Sequence, residues 1–187
     1  MPSPLSDALS DQALIKRVKK NGVAFSELYG RHVDRVYRYL LFRVGNVQDA
    51  QDLTAQTFIT ALEKLDSYRG EGTVVAWFLG IARHKLADYY RQRHVNESLE
   101  SVEQLPGADV LLEEWVAAQL QHEQIAQALR RLPTERAEAL SLRFFAGLST
   151  AETAQAMNRS EAAVKMLVHR GVQDLRRLLL GQLEVAL

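Results

Sequence analysis

Apolar residues recur at three- and four-residue steps along most of the chain, which is the spacing of amphipathic α-helices. The spacing extends over about residues 25–44, 48–65, 74–93, 110–132, 134–145 and, in two parts, 149–180. No segment of useful length alternates apolar and polar residues as a half-buried strand does. The pattern therefore predicts an all-α fold.

Breaks in this pattern divide the chain. A Gly-Asn pair at residues 45–46 ends the first predicted helix, and residues 66–73, with two glycines, predict a loop. Residues 95–108 combine weak periodicity with three acidic residues and a Pro-Gly pair. We therefore predict two small helical domains, residues 1–94 and 109–187, joined by a short acidic linker at 95–108.

Charge is distributed unevenly, although the formal net charge is zero. Residues 1–95 carry 14 Lys/Arg and 10 Asp/Glu, a balance of +4. Residues 96–123 carry no Lys/Arg and 7 Asp/Glu, and residues 124–187 carry 9 and 6, which gives −7 and +3. One interpretation of the acidic block is a solvated linker followed by an acidic helix face. The alternative is an acidic strap that keeps the two basic blocks apart or imitates nucleic acid.

The segment from residue 149 to 170 fits a helix-turn-helix. Ser149 and Glu152 form the S-x-x-E pattern of a capping box, and Ala154 is small where two helices must approach closely. Asn158 suits a left-handed turn better than most other residues with a side chain, and Ser160 is able to cap a second helix. The alternative is an ordinary helical hairpin with a polar outer face.

The second helix of such a motif enters the major groove of DNA with its early residues facing base edges. Glutamate accepts a hydrogen bond from cytosine, and lysine donates to guanine. The candidate DNA-contacting residues are therefore Arg159, Ser160, Glu161, Ala162, Lys165, Met166, His169 and Arg170.

A second nucleic-acid signal lies in the first block, where aromatic and basic residues are interleaved. Tyr68 and Arg69 fall in the glycine-containing loop, and Lys85, Tyr89 and Arg91 lie on the helix that follows. Aromatic side chains in such a setting stack on unpaired bases. For the aromatic residues at 77 and 78, which have apolar neighbours, we favour a place in the core.

Composition excludes several classes of function. The chain has no cysteine, so it forms no disulfide and no thiolate metal site. The five histidines show no metal-binding spacing, and His32 falls on an apolar helix face. No catalytic sequence motif is present, so we expect neither an enzyme nor a cofactor. The start of the chain lacks a secretory signal and the longest apolar run, 74–82, is too short for a bilayer, which predicts a cytoplasmic protein.

Two longer motifs carry a family resemblance. DAQDLTAQTFITALEKL begins at Asp49, and WFLGIARHKLADYYRQR begins at Trp77. Farther on, Leu-Pro at 132–133 precedes an arginine at 136, and Gly-Leu-Ser at 147–149 opens the helix-turn-helix. Over about residues 22–180 the chain resembles an extracytoplasmic-function sigma factor of the sigma-70 family, with helical regions 2 and 4.

The resemblance implies that the chain binds core RNA polymerase at the clamp helices and the flap, and directs initiation at particular promoters. It assigns the second helix to contact with the clamp, with Phe58 facing inward. It assigns the loop and the third helix to the −10 element, and the recognition helix to the −35 element. The implied polymerase-binding residues are Asp49, Asp52, Leu53, Gln56 and Phe58. The implied −10 residues are Ser67, Tyr68, Arg69, Gly70, Lys85, Asp88, Tyr89 and Arg91.

The same resemblance implies an anti-sigma factor as a further partner, able to hold the chain at the membrane. A relaxed linker of fourteen residues reaches about 20 Å. Such a linker would let the free domains pack together and hide both DNA-reading faces, and the sequence leaves open whether the free chain is compact or extended. Two other functions remain open on the residues alone, namely a stand-alone helix-turn-helix regulator that needs no polymerase, and a helical adaptor with no DNA role.

Overall fold

The fold is entirely helical within residues 10–18, 23–70, 72–96 and 112–185, which the computed structural model describes. The prediction of an all-α fold is confirmed. A 3-10 turn at Leu65–Ser67 and a π-helical turn at Ser141–Phe145 interrupt the α-helices. The α-helices are α1 (Asp11–Val18), α2 (Ala24–Val44), α3 (Val47–Glu63), α4 (Val74–Asn96), α5 (Leu112–Arg131), α6 (Thr134–Leu140), α7 (Thr150–Met157) and α8 (Glu161–Val185).

The helix boundaries follow from local chemistry. Gly45 ends α2 in a left-handed conformation at φ 78° and donates its backbone N–H to the carbonyl of Leu41. The side chain of Asn46 then accepts a hydrogen bond from the backbone N–H of Asp49 at 3.0 Å and caps α3. Helix α4 continues through residues 95 and 96, into the segment predicted as linker, and residues 97–111 lie outside the described part of the chain.

Helices α1 to α4 surround the first hydrophobic core. Phe58 of α3 and Phe78 of α4 lie inside it with ring centroids 4.9 Å apart, and Phe78 is fully buried. This core also contains side chains from the second half of the chain, namely Leu142, Ala146 and Leu148. The two halves therefore share apolar surface instead of burying it separately.

The second core forms where α5, α6 and α8 meet, and α2 covers one of its sides. Phe42 of α2 stacks on Phe145 of the π-helical turn with ring centroids 4.0 Å apart and an interplanar angle of 16°. Gly45 approaches α5 so closely that a Cβ built on it would lie 2.8 Å from the Cβ of Ala126. The two halves are therefore in direct contact, an arrangement that the linker length permits but does not predict.

Helix α1, which the periodicity analysis did not identify, closes the first core from one end. Its residues Leu14, Ile15 and Val18 are buried. Asp11 at its start forms an ion pair with Arg31 of α2 at 2.9 Å, and its other carboxylate oxygen lies 2.6 Å from Nε2 of His32.

His32 is a buried histidine whose two ring nitrogens differ. Nε2 faces the carboxylate of Asp11, whereas Nδ1 is buried and has no hydrogen-bond partner among the described residues. Burial lowers the pKa of His32 below its ordinary value of 6.5, although Asp11 acts in the opposite direction. Protonation would place an unpartnered N–H group of a cation in an apolar environment, which is unfavourable.

We expect the free energy of unfolding to decrease as the pH falls from about 7.5 to about 5.5. The unfolded chain binds a proton at His32 more readily than the folded chain, so the stability present above pH 6.5 is lost in acid. Urea unfolding at several pH values measures this slope. His32→Gln should flatten it, and an unchanged slope in that variant would assign the pH dependence to other groups.

Candidate nucleic-acid interface

The helix-turn-helix is formed by α7, a left-handed turn and α8. The backbone N–H of Ser149 donates to Oε2 of Glu152 at 2.8 Å, and the N–H of Glu152 donates to Oγ of Ser149 at 3.1 Å. Asn158 adopts φ 52°, and Oγ of Ser160 accepts from the N–H of Ala163 at 3.2 Å. The predicted capping box, left-handed turn and second cap are all confirmed.

The capping carboxylate is held ionised. Partial burial of Glu152 opposes ionisation, but hydrogen bonds from the backbone and hydroxyl of Ser149 outweigh it and lower the pKa of this carboxyl. Arg35 and Arg143 act in the same direction. Because Arg35 belongs to α2, the start of the motif is stabilised electrostatically by the first half of the chain.

Packing beneath the motif fixes the direction of α8. Val164 and Thr153 are fully buried, and the hydroxyl of Thr153 donates to the carbonyl of Ser149 at 2.8 Å, so its burial leaves no hydroxyl unpaired. A Cβ built on Gly171 would lie 3.0 Å from a side-chain carbon of Leu140. Packing of α8 on α6 is therefore tight at Gly171, and a side chain there would displace Leu140 by a few tenths of an ångström.

The outer face of α8 carries the predicted −35 residues, and all eight are exposed. Arg159 forms an ion pair with Glu135 of α6, and His169 lies 3.1 Å from the amide nitrogen of Gln173. Both contacts are at the surface, where ion pairs contribute little to stability. Arg159 is therefore available to exchange Glu135 for a phosphate or a base.

Two further polar side chains adjoin this face and were not identified from the sequence. Arg143 and Thr150 line an open groove of about 360 Å³ beside α8, together with Lys165 and His169. The guanidinium of Arg143 also donates to the carbonyl of Leu148, which fixes its direction. The start of α7 thus extends the polar surface of the recognition helix. A basic residue just before a Gly-Leu-Ser turn is the sequence signal for this extension.

The loop predicted for the −10 element lies between α3 and α4. Gly70 and Gly72 adopt positive φ angles of 79° and 76°, which favours glycine at both positions. Ser67, Arg69 and Gly70 are exposed. Tyr68 is half-buried, with its ring centroid 5.2 Å from that of Trp77 and its hydroxyl donating to the carbonyl of Gly72 at 3.3 Å. The loop presents one edge of an aromatic pair beside an exposed cation.

The predicted −10 residues of α4 fall into two groups. Asp88 and Arg91 are exposed and form an ion pair with each other, whereas Lys85 and Tyr89 are half-buried. The hydroxyl of Tyr89 donates to Asp49 of α3 at 2.8 Å and accepts from Arg93 at 2.6 Å. Burial and the bond to Asp49 raise the pKa of Tyr89 to about 12. Lys85 and Tyr89 are therefore less accessible to a partner than Asp88 and Arg91.

The predicted polymerase-binding residues of α3 are also divided between surface and core. Asp52 and Gln56 are exposed, and Asp49 is half-buried. Phe58 points inward, as expected, and Leu53 is 5% exposed. Leu53 therefore supports α3 from within, and its side chain offers no surface to a partner.

Two apolar side chains extend the outer face of α3. Ile59 is 58% exposed and Leu62 is 48% exposed. Asp52, Gln56, Ile59 and Leu62 follow one another at steps of four, three and three residues, so this face of α3 is mixed polar and apolar.

Packing of the two halves leaves both predicted DNA-reading faces accessible. The eight −35 residues are exposed, and so are most residues of the −10 loop. The halves therefore pack together without hiding either face. The contact between the halves uses α2, α5 and the π-helical turn, and Arg83 of α4 donates to the carbonyl of Ala156 in α7 at 3.2 Å.

Two kinds of feature, a metal-binding cluster and a membrane-spanning helix, are absent from the described residues. No group of three or more histidine, cysteine or acidic side chains is placed to hold a metal ion in that part of the chain. None of the helices described is both long enough and apolar enough to cross a membrane.

Comparison with known families matches both halves separately. The family model described as "Sigma-70 region 2" matches residues 28–95, and that described as "Sigma-70, region 4" matches residues 122–175. Helix α1 lies outside both matches.

Individual proteins match over nearly the whole length. The ECF RNA polymerase sigma factor BldN of Streptomyces coelicolor is 36% identical over 182 residues, covering 95% of this chain and 69% of that protein. The ECF RNA polymerase sigma factor SigW of Bacillus subtilis is 30% identical over 174 residues, covering 87% and 93%. Among solved structures, CnrH in complex with the cytosolic domain of CnrY matches with a TM-score of 0.68 and 26% identity, covering 90% of this chain and 96% of that chain.

Removing the capping hydroxyl should destabilise the helix-turn-helix. We expect Ser149→Ala to lower the free energy of unfolding by about 1 kcal/mol, because the N–H of Glu152 loses its acceptor. Gln155→Ala, an exposed change on the same helix, is the matched control and should stay within about 0.5 kcal/mol of the parent. Equal effects of the two changes in denaturant unfolding would contradict the capping assignment.

Proposed function

The chain belongs to the extracytoplasmic-function sigma factors of the sigma-70 family, and from this membership we propose how its residues select promoters. It is an alternative sigma factor that binds core RNA polymerase and directs promoter-specific initiation of transcription. The first half reads and melts the −10 element, and the second half reads the −35 element. The observation that carries this assignment is the presence, in one chain, of an exposed recognition helix and an aromatic-cationic loop.

The recognition helix reads duplex DNA in the major groove. Lys165, Glu161 and Arg159 face base edges from the first turns of α8, since the early residues of such a helix enter deepest. Arg170 lies farther along the helix and contacts phosphate. Arg143 and Thr150 add phosphate contacts from the groove beside α8.

The loop between α3 and α4 captures an unpaired base. Tyr68 and Trp77 form an aromatic pair at its edge, and Arg69 supplies a cation that is fully exposed to a strand. Stacking of a base on such a platform contributes about 1–3 kcal/mol. Asp88 and Arg91 line the path of the strand along α4.

The energetics favour a subunit that specifies promoters over a protein that opens DNA alone. Each stacked step of the duplex costs about 1.4 kcal/mol to separate. The stacking free energy from one aromatic loop does not offset the cost of separating many base-pair steps. The remaining strand must be held by a larger protein, which is the role of the core polymerase.

The polymerase is bound through the outer face of α3. Asp52 and Gln56 provide polar contacts, and Ile59 and Leu62 provide apolar area on the same face. Leu53 and Phe58 keep this face in place from the core. We also propose that an anti-sigma factor is a second protein partner and that the chain acts in the cytoplasm. We further propose that the chain itself catalyses no reaction.

In vitro transcription with sigma-free core polymerase and a promoter library tests the function directly. We expect the purified chain to direct initiation from a subset of promoters that share −10 and −35 sequences. A stand-alone regulator would instead protect a duplex site unaided and never support initiation.

Arg170 offers a test of the −35 assignment. Arg170→Ala should weaken binding to duplexes of all sequences similarly, and lower the slope of log affinity against log salt by about 1, because one phosphate contact is lost. Lys64→Ala removes an exposed cation from the other half and is the matched control on a −35 duplex. A loss confined to particular sequences would show that Arg170 reads a base.

A further inference from the structure

Asp49 lies in the first turn of α3, where its side chain contacts α4. Its backbone N–H donates to the side chain of Asn46, so the cap of the helix fixes its position. Its carboxylate accepts a hydrogen bond from the hydroxyl of Tyr89 at 2.8 Å, and its side chain remains 37% exposed. An acid that the family pattern assigns to polymerase is thus bound to the helix that the same pattern assigns to the −10 element.

Tyr89 connects this acid to Arg93, which lies one helical turn farther along α4. Nη1 of Arg93 donates to the hydroxyl of Tyr89 at 2.6 Å, and its guanidinium carbon lies 5.9 Å from the centroid of the Tyr89 ring. The same nitrogen lies 3.9 Å from Oδ2 of Asp49. Acid, phenol and guanidinium therefore form one chain of contacts, which we call the Asp49 network.

The phenol in the middle of the network is protonated and held in place. Burial and the bond to Asp49 raise the pKa of Tyr89 to about 12, although Arg93 acts in the opposite direction. The hydroxyl is therefore able to donate to Asp49 and to accept from Arg93 at the same time. The neighbouring ring of Tyr90 lies 5.4 Å from that of Tyr89, and its own hydroxyl donates to the carbonyl of Arg43.

The polymerase face of α3 begins one turn after Asp49. Asp52 and Gln56 are exposed on that face, whereas Asp49 is half-buried against α4. Because Oδ2 of Asp49 already accepts the hydroxyl of Tyr89, a polymerase contact at this oxygen would compete with a bond inside the chain. The geometry therefore separates Asp49 from the two polar residues that follow it.

Arg93 shares the outer end of α4 with residues that we assign to the −10 strand. Its side chain is 52% exposed, and Arg91, two positions earlier, is also exposed. A guanidinium is planar and rigid, so a bond from one nitrogen to Tyr89 orients the whole group. An exposed and oriented guanidinium is suited to a phosphate of a nucleic-acid strand.

We propose that Arg93 contacts a phosphate of the −10 strand, and that Asp49 is a positioning residue for this contact and acts through Tyr89. The proposal rests on the function proposed above and assigns Asp49 to the promoter instead of the polymerase. An arginine that is ordered in advance loses less conformational freedom on binding, and ordering one mobile side chain lowers affinity by about two- to tenfold. Exposed ion pairs contribute little to folding, so the effect should appear in strand binding.

Strand binding is measured on the holoenzyme, which is this chain with saturating core polymerase. The probe is a single-stranded oligonucleotide with the −10 sequence of a promoter selected from the library described above. Arg93→Ala should weaken binding and lower the slope of log affinity against log salt by about 0.7, because one phosphate contact with a single strand is lost. Arg131→Ala removes an exposed cation of α5 and should leave both quantities unchanged.

Substitutions of the acid and the phenol test the positioning role. Asp49→Ala should weaken strand binding by about two- to tenfold, although it removes a negative charge near a polyanion. Tyr89→Phe removes only the hydroxyl and should give the same loss. The double variant should bind no more weakly than either single variant, because both changes interrupt one network. Asp49→Asn keeps an acceptor for the hydroxyl and should recover part of the affinity.

Titration of the labelled chain with core polymerase distinguishes Asp49 from its neighbour on the polymerase face. Asp52→Ala should weaken binding to core and leave strand binding by the saturated holoenzyme unchanged. Asp49→Ala should have the reverse effects. If Asp49→Ala also shifts the midpoint of urea unfolding, Tyr89→Phe decides the question, since it leaves α3 unaltered.

The proposal is overturned if Tyr89→Phe binds the strand as tightly as the parent, or if Asp49→Ala weakens binding to core and not to the strand. An unchanged salt slope for Arg93→Ala would also overturn it. Tighter strand binding by Asp49→Ala would show that the acid acts by repulsion alone. A parent holoenzyme that binds no −10 strand would refute the proposed function itself, whereas failure of the variants alone leaves that function in place.

Discussion

Helix α2 contributes to both hydrophobic cores, and the rest of the structure depends on this shared helix. Leu28 and Leu40 lie in the first core, while Phe42, one short step along the same helix, covers the second by stacking on Phe145. Neither half has a complete apolar shell of its own. Separation of the halves exposes aromatic surface to water, which is unfavourable unless another surface replaces α2.

Local interactions explain why most of the fold was predictable from sequence. The break at Gly45 and the capping box at Ser149 depend on residues within four positions of each other, so a single sequence contains the required information. Helix α1 was missed because it has only eight residues, too few to establish a period although four of them are apolar. Its start is held by contacts of Asp11 with residues 20 or more positions away. Short helices stabilised mainly by tertiary contacts leave a weak periodic signal.

The residues of the candidate site also divide into those that local sequence predicts and those that depend on distant contacts. The recognition helix was predictable because its outward face follows from its caps and its period, and all of its named residues are exposed. Leu53 was assigned to a surface by family pattern, although its three- and four-residue spacing from Ala50 and Thr57 places it on the buried face. The ion pair between Glu138 of α6 and Arg43 of α2 was not predictable. The partners of Glu138, Tyr39 and Arg43, lie 99 and 95 positions away, and nothing local distinguishes this residue from a solvated acid.

Gly45 shows how finely the fit between the halves is set. In the first half, the left-handed conformation of Gly45 ends α2. In the second half, α5 packs against the position that a Cβ on Gly45 would occupy. A single added methyl group would lie 2.8 Å from the Cβ of Ala126. A substitution at Gly45 would therefore force α2 and α5 to shift relative to each other without altering any charge. The spacing of these two helices, one from each half of the chain, thus depends on the absence of a single carbon atom.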